Sequence, residues 1–223
     1  MGLCMLALIP LQNKKFKGFI TLCIVAFFFH RSSIIFLCAW PIFYSRLGKK
    51  GYTILALCII TMTIWNPIVH LLPLLPSNSE IVILQRLQTY SSNNNINPNT
   101  NYALQNSLSL AKRSAFLLLS IFGLFKLKGF EKEKYLGYLN LYLASLFLYV
   151  LFTGTVELFK VVTIYFSIVE IFLIPRAIST VSKDLRPILY AIIILFLIAQ
   201  QYSALAPYWD LYVPYKSILA GVM

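Results

Sequence analysis

Apolar residues run along most of this chain in blocks that approach the length of a membrane helix, and short polar segments separate the blocks. The blocks cover residues 18–44, 52–75, 108–126, 135–153, 156–175 and 188–206, after a shorter apolar segment at 2–12. A helix needs about 20 apolar residues to cross the hydrocarbon core of a bilayer, so the pattern predicts an all-α, polytopic helical membrane protein with about 5 to 6 spans. We expect residues 1–223 to form a single transmembrane domain.

Polar and helix-breaking residues set the expected ends of several blocks. Asn66-Pro67 interrupts the second block, and Pro175 is expected to end the fifth block, because proline disrupts the helical turn that precedes it. Residues 76–107 form the one long polar stretch of the sequence. We expect this stretch to be an extracytoplasmic loop that contains a short interfacial helix around residues 81–87.

The first long block carries a polar cluster, His30-Arg31-Ser32-Ser33, near its middle. If the block crosses the membrane once, 10 basic residues of the chain lie inside and 9 outside. If the block folds back as a hairpin, the division becomes 13 inside and 6 outside, which fits the positive-inside bias better. We therefore favour a re-entrant helical hairpin with the cluster at its tip, and one long tilted span stays open as the alternative.

Composition agrees with a membrane protein and narrows the range of partners. The chain is 59% hydrophobic and 12% charged, with a mean hydropathy of +0.77. A net charge of +12 would suggest nucleic acid in a soluble protein. Here the basic loops orient membrane helices, so we expect membrane lipid and no nucleic acid among the partners.

The four cysteines give no sign of a metal site. Cys4, Cys23, Cys38 and Cys58 lie in apolar blocks, without CxxC spacing and without a nearby pair of histidines. Cysteine at such positions usually serves as a small buried apolar residue. We expect no metal and no other cofactor.

The polar cluster at the hairpin tip is the first candidate for chemistry. Arg31 offers a fixed fork of donors that suits phosphate. His30 can take or give a proton near neutral pH. If the tip faces an outward aqueous cavity, His30, Arg31 and Ser32 are candidate functional residues; the alternative is that these side chains only tie one helix to the next.

Several further ionisable residues fall on the outer side or inside a span. The outer basic residues in the hairpin arrangement are Arg31, Arg86, Lys112, Arg113, Lys160 and Lys216. They oppose the orienting bias, and an anionic lipid pyrophosphate bound by charge-assisted hydrogen bonds would explain them, as would snorkelling to headgroups. Glu157 precedes Lys160 by three residues, which favours an ion pair on one helical face. Glu170 is a candidate catalytic base, or it pairs with a loop cation or faces protein.

Three segments carry a family resemblance. Residues 26–32 read AFFFHRS after a lysine-rich turn, the block from Lys160 to Pro175 reads KVVTIYFSIVEIFLIP, and residues 213–217 read VPYKS. In this order and spacing they resemble the EpsG family of bacterial polysaccharide polymerases, relatives of the Wzy O-antigen polymerases. The first segment matches that family's A-x-x-F-H-x-S pattern, the second its penultimate helix and the third its P-Y-K-S ending. Lys160 stands where the family usually has arginine.

The resemblance implies a membrane glycosyltransferase-like polymerase, and an export component is the alternative. Such a polymerase joins polyprenyl-pyrophosphate-linked oligosaccharide repeats on the outer face of the bacterial cytoplasmic membrane. The candidate catalytic residues are His30 and Ser32, and the candidate substrate-binding residues are Arg31, Arg113, Lys160, Tyr215 and Lys216. A non-enzymatic membrane component of glycan export, an inactive remnant, or an acyltransferase with His30 as base stay open as alternatives.

The beginning of this chain differs from that of the family members it resembles. Family members are longer, and an Arg-Gln pair typically precedes the segment that Gly2-Leu3 match. We therefore expect this chain to be the C-terminal portion of a larger polymerase. Its expected partners include the N-terminal half or other polysaccharide-assembly proteins.

Overall fold

The regular structure of the described residues is helical, as the sequence predicts. The computed structural model describes residues 2–65, 102–153 and 157–205. The α-helices are α1 (Gly2–Gln12), α2 (Phe16–Phe29), α3 (Ala39–Tyr44), α4 (Lys49–Ile64), α5 (Tyr102–Lys126), α6 (Gly129–Phe152), α7 (Glu157–Ser167), α8 (Glu170–Ser179) and α9 (Arg186–Leu205). A 3-10 helix, Arg31–Cys38, lies between α2 and α3. The interfacial helix expected around 81–87 lies outside the described residues.

Helix length and composition mark the chain as a membrane protein. Within the described residues, 3 helical segments are long and apolar enough to cross a bilayer, namely Asn106–Lys126, Gly129–Phe152 and Val162–Ser179. Shorter apolar helical segments accompany them at Gly2–Gln12, Phe16–Phe29, Arg31–Tyr44, Lys50–Ile64 and Arg186–Tyr202. The prediction of an all-α membrane protein is confirmed.

The first long apolar block folds back on itself at His30. Its first arm, α2, is 14 residues long, so it measures about 21 Å and falls short of the roughly 30 Å of a hydrocarbon core. The second arm returns beside the first, because the Trp40 ring lies 4.7 Å from the Phe16 ring and 5.5 Å from the Phe19 ring, measured between centroids. The predicted fold-back of this block is confirmed, and the alternative of one long span is wrong.

The core of the described residues forms around α6. This helix packs against α3, α4, α5, α7 and α8, and its Tyr142 is fully buried. The hairpin joins this core through Phe36, whose ring lies 6.2 Å from that of Phe166 on α7. Burial of such large rings is the main favourable contribution to packing, and it fixes the hairpin tip against α7.

Two glycines allow helices to approach closely. A Cβ added at Gly137 on α6 would lie 2.6 Å from the ring of Phe43 on α3. A Cβ added at Gly123 on α5 would lie 3.0 Å from the Cα of Ala177 on α8. Both distances are shorter than a normal contact, so a side chain at either position would push the helices apart.

Two helices begin six residues earlier than the hydropathy pattern predicts. The apolar blocks start at residues 108 and 135, whereas α5 starts at Tyr102 and α6 at Gly129. The added residues are largely polar or charged, so they lower the hydropathy without breaking a helix. The first turns of both helices therefore extend beyond the apolar blocks.

The expected helix end at Pro175 is wrong. Pro175 lies inside α8, and the break falls upstream, between Ser167 and Glu170. At this break the chain tightens, since the amide of Ile171 donates to the carbonyl of Ile168 at 3.3 Å. Proline can clash with the carbonyl four residues before it, which for Pro175 is that of Ile171, inside α8, so this clash does not account for the break.

The cysteine prediction is confirmed only in part. Cys4 and Cys23 are buried in the core. Cys38 and Cys58 are exposed, because they lie on helix faces that the described residues do not cover.

Candidate functional site

The hairpin tip is built by a single extended residue. His30 has φ −152° and ψ 109°, and it ends α2 while its amide still donates to the carbonyl of Ala26 at 2.9 Å. Its own carbonyl accepts from the amide of Ser33 at 2.9 Å and so starts the 3-10 helix. This reversal places the side chains of His30 and Ser32 on the same side of the tip.

A third residue from α7 completes a triangle of hydrogen bonds, here called the hairpin-tip cluster (His30, Ser32 and Tyr165). The Ser32 Oγ lies 2.7 Å from His30 Nδ1 and 2.8 Å from the Tyr165 hydroxyl. The Tyr165 hydroxyl lies 3.2 Å from the same Nδ1. Two residues of the hairpin are thus fixed against a residue that lies 133 and 135 positions further along the chain.

The hairpin-tip cluster orients an imidazole. Both contacts involve Nδ1, and His30 is exposed. When Nδ1 carries the proton and donates it to the Ser32 hydroxyl, the other ring nitrogen, Nε2, is a base. The two hydroxyls fix the position of the ring at Nδ1, and because a hydroxyl can donate or accept, either tautomer can form these contacts.

A second polar group lies between α5 and α8, here called the buried charge centre (Lys112, Arg113 and Glu170). The Lys112 Nζ lies 3.9 Å from Glu170 Oε2, and the Arg113 Nη1 lies 3.9 Å from Glu170 Oε1. The three side chains are only 11% to 19% exposed. Charges are rarely buried in this way unless they are paired, because desolvation is costly.

Arg113 also contacts α6. Its Nη1 donates to the Ser145 hydroxyl at 3.1 Å, and its guanidinium carbon lies 4.5 Å from the centre of the Tyr149 ring. Ser145 in turn donates to the carbonyl of Thr163 on α7 at 3.1 Å. A chain of contacts therefore leads from Arg113 to a residue two positions before Tyr165, which connects α7 to both polar groups.

The buried charge centre keeps unused hydrogen-bonding capacity. Among the described residues, the Arg113 Nε and the Glu170 Oε1 have no hydrogen-bond partner. Separations of 3.9 Å bring opposite charges together without a hydrogen bond. The charges thus attract each other while some of their donors and acceptors remain unsatisfied.

The structure brings some of the predicted site residues together and leaves others apart. His30 and Ser32 meet in the hairpin-tip cluster, and Arg113 lies in the buried charge centre. Arg31 is exposed beside the tip. The side chain of Lys160 and the whole of Tyr215 and Lys216 lie outside the part of the chain that the structure describes.

Two further site residues are visible only in the structure. Tyr165 lies within the block that carries the family resemblance, so the sequence contained a signal for it. Ser145 lies in an apolar leucine-rich and tyrosine-rich block and gives no such signal. Glu170 pairs with two cations of a neighbouring helix, and not with a loop cation.

The fold and these two polar groups define an all-α membrane protein with an oriented histidine at a hairpin tip and a charged centre between its helices. The EpsG family profile matches residues 1–217, and the chain belongs to the EpsG family. No curated protein matches the sequence. No solved structure matches it either.

Proposed function

We propose that this chain is a polysaccharide polymerase-like protein of the bacterial cytoplasmic membrane. It joins oligosaccharide repeats that are linked to polyprenyl pyrophosphate, on the outer face of that membrane. In this reaction a hydroxyl of one repeat attacks the anomeric carbon of another, the glycosidic bond forms, and the bond to the pyrophosphate oxygen breaks. The proton of the hydroxyl leaves with a base, and polyprenyl pyrophosphate leaves as an anion. Membership of the EpsG family supports this function.

The hairpin-tip cluster is the observation that carries the proposal. A glycosyl transfer of this type needs a base close to neutral pH, and an exposed imidazole suits that need. In this role the Nε2 of His30 accepts the proton of the attacking hydroxyl. Ser32 and Tyr165 orient the ring through Nδ1, at 2.7 and 3.2 Å.

In this proposal three cations assist the leaving group. Negative charge develops on the pyrophosphate as the bond breaks, and fixed cations stabilise it most when they are oriented beforehand. Arg113 is oriented by Ser145 and Tyr149. We assign the same role to Arg31 and Lys160.

The outer mouth and the membrane topology complete the proposal. In this proposal Tyr215 and Lys216 close the outer opening of the substrate site over the bound saccharide. The hairpin tip enters the membrane from the outside as a re-entrant element, since neither arm is long enough to cross. Backbone that leaves a helix at such depth must face protein or water, and here His30 contacts Tyr165.

A complementation experiment tests this function. A bacterial strain that lacks its EpsG-type polymerase receives this chain, alone and together with the N-terminal half of a longer EpsG-type polymerase. His30→Ala and Ser32→Ala are compared with Ser167→Ala, whose hydroxyl contacts only the carbonyl of Ile164 among the described residues. We expect His30→Ala to abolish long polymer, Ser32→Ala to reduce it about tenfold, and Ser167→Ala to leave it unchanged at equal protein level in the membrane.

The same experiment distinguishes the alternative. If His30→Ala leaves the polymer length unchanged, the cluster has no role in polymerisation. A polymer that is made but not exported in the absence of this chain would instead indicate a non-enzymatic component of glycan export.

A further inference from the structure

Lys112 is a charged residue at membrane depth that the hairpin-tip cluster does not use. It lies six residues after the start of the candidate span Asn106–Lys126, which places it about 9 Å along the helix axis. Its side chain is 15% exposed, and its Nζ faces Glu170 at 3.9 Å. A cation at such depth is costly and usually marks a ligand or ion site.

A cavity opens beside this lysine. Its volume is about 530 Å³, and it lies between α5 and α9. Lys112 contributes its lining from α5, and α9 contributes Ile194, Leu197, Ile198, Gln200 and Gln201. The lining therefore combines one cation and two amides with three branched apolar side chains, spread over about 10 Å of α9.

The buried charge centre beside the cavity has an excess positive charge that an anionic ligand could balance. Two cations share one carboxylate in the buried charge centre, and the Arg113 Nε has no hydrogen-bond partner among the described residues. The positive charge thus exceeds the negative charge at this position. A phosphate group beside Lys112 would balance the excess and could accept charge-assisted hydrogen bonds.

We propose that this cavity is a lateral entry site for the phosphorylated polyprenyl carrier, which reaches it from the bilayer between α5 and α9. The phosphate lies at Lys112, and the first isoprene units lie along Ile194, Leu197 and Ile198. Glu170 is the counter-ion of Lys112 and Arg113 while the site is empty of lipid. The choice of a polyprenyl lipid, rather than another anionic lipid, rests on the proposed function.

Binding of defined lipids to the whole 223-residue chain tests this site without requiring polymerisation. The protein is placed in nanodiscs of phosphatidylcholine, and native mass spectrometry counts bound polyprenyl phosphate. Lys112→Gln is compared with Lys126→Gln, which makes the same change at the far end of the same helix. We expect Lys112→Gln to weaken binding of polyprenyl phosphate about tenfold and Lys126→Gln to leave it unchanged.

A second pair of variants tests the apolar part of the cavity and keeps the charge centre intact. Ile198→Trp fills the cavity, whereas Leu195→Trp adds the same ring at a position of α9 that does not line it. We expect Ile198→Trp alone to weaken polyprenyl phosphate binding, again about tenfold. Equal affinities within either pair of variants would overturn the assignment.

Competing lipids decide which ligand the site recognises. Polyprenol without phosphate, phosphatidylglycerol and inorganic pyrophosphate are each added as competitors. We expect each of them to bind at least tenfold more weakly than polyprenyl phosphate, because each lacks either the phosphate or the prenyl chain. Equal competition by any one of the three would overturn the proposed ligand.

The two proposals fail in different ways. If Lys112→Gln binds polyprenyl phosphate as well as the unchanged protein does, and polymerisation still depends on His30, the entry site is wrong and the proposed polymerase function stands. If Lys112→Gln weakens binding of polyprenyl phosphate but the His30→Ala variant still polymerises, the entry site stands and the catalytic role of His30 is wrong.

Discussion

The two polar groups of this protein differ in how their partners are bound. In the hairpin-tip cluster, neutral hydroxyls contact a ring nitrogen at 2.7 to 3.2 Å, and the cluster includes the exposed His30. In the buried charge centre, full charges lie 3.9 Å apart, with few exposed atoms. The short hydrogen bonds orient the His30 ring, whereas the longer ion pairs offset the cost of burying the charges of Lys112, Arg113 and Glu170.

This difference determines what each group contributes. Water can replace a lost partner of the exposed His30 ring, so a lost hydrogen bond there changes geometry more than stability. Water replaces a buried counter-ion poorly, so a lost charge there leaves its partners uncompensated. We therefore expect variants at the tip to change activity with little loss of stability, and variants in the buried centre to lower stability as well as ligand binding.

Removal of the buried carboxylate should have the largest effect on stability. Glu170→Gln leaves Lys112 and Arg113 without a counter-charge, and loss of one member of a buried pair typically costs about 3 kcal/mol. The matched control is Glu133→Gln, since Glu133 pairs with Arg46 but its side chain is 60% exposed. Thermal unfolding in detergent measures both; equal unfolding temperatures would contradict the distinction between the two environments.

A larger residue at Gly137 should have the next largest effect. In Gly137→Ala the new methyl group meets the Phe43 ring at 2.6 Å, and overpacking of this kind costs about 2 kcal/mol. It also separates α3 from α6 and shifts the hairpin arm. Gly48→Ala is the control, because a Cβ at that position meets no atom within 4 Å. Thermal unfolding distinguishes them, and an unchanged Gly137→Ala protein would rule out this packing contact.

Loss of the tyrosine hydroxyl should change activity more than stability. Tyr165→Phe removes two contacts of the hairpin-tip cluster, to Ser32 and to His30, and we expect a loss of about 1 kcal/mol in stability. Polymer yield should fall several-fold, because the imidazole loses an orienting partner. Tyr190→Phe, on an exposed position of α9, serves as the control. A large loss of stability with an unchanged polymer yield per folded molecule would show that Tyr165 supports the fold and not the activity.

An exposed ion pair should have the smallest effect, despite its short distance. Arg176 donates to Glu131 at 2.6 Å, but the two side chains are 48% and 56% exposed. Exposed pairs contribute less than about 1 kcal/mol and weaken with salt. Arg176→Gln should therefore lower the unfolding temperature only slightly, and only at low salt. A loss as large as that of Glu170→Gln would show that distance, rather than burial, sets the strength.

Some of the site could be predicted from the sequence because its cause is local. The polar residues at 30–33 interrupt a long apolar block, and a charge count favours a turn there. His30 and Ser32 are two positions apart, so their proximity follows from the chain itself. The hairpin and two of the three members of its cluster were therefore accessible to pattern reasoning.

The remaining site residues depend on packing between helices that are distant in sequence. Tyr165 reaches the tip where its helix packs against the hairpin, as in the contact of Phe166 with Phe36, and no periodicity in the sequence predicts that contact. Glu170 meets α5 because the chain breaks before it and restarts as α8. Hydropathy averages over such a break, so the pattern predicted one helix to Pro175 and missed the turn.

The close approach of α5 and α8 has a consequence for how this sequence can vary. At Gly123 the neighbouring backbone of Ala177 leaves no room for a methyl group, and Ala177 itself is completely buried. Neither residue can gain volume unless its helix moves, and such a movement would separate the lysine and arginine of α5 from the glutamate of α8. Residue sizes at 123 and 177 are therefore constrained jointly, so natural variants should conserve this pair of small residues for the sake of charges several turns away.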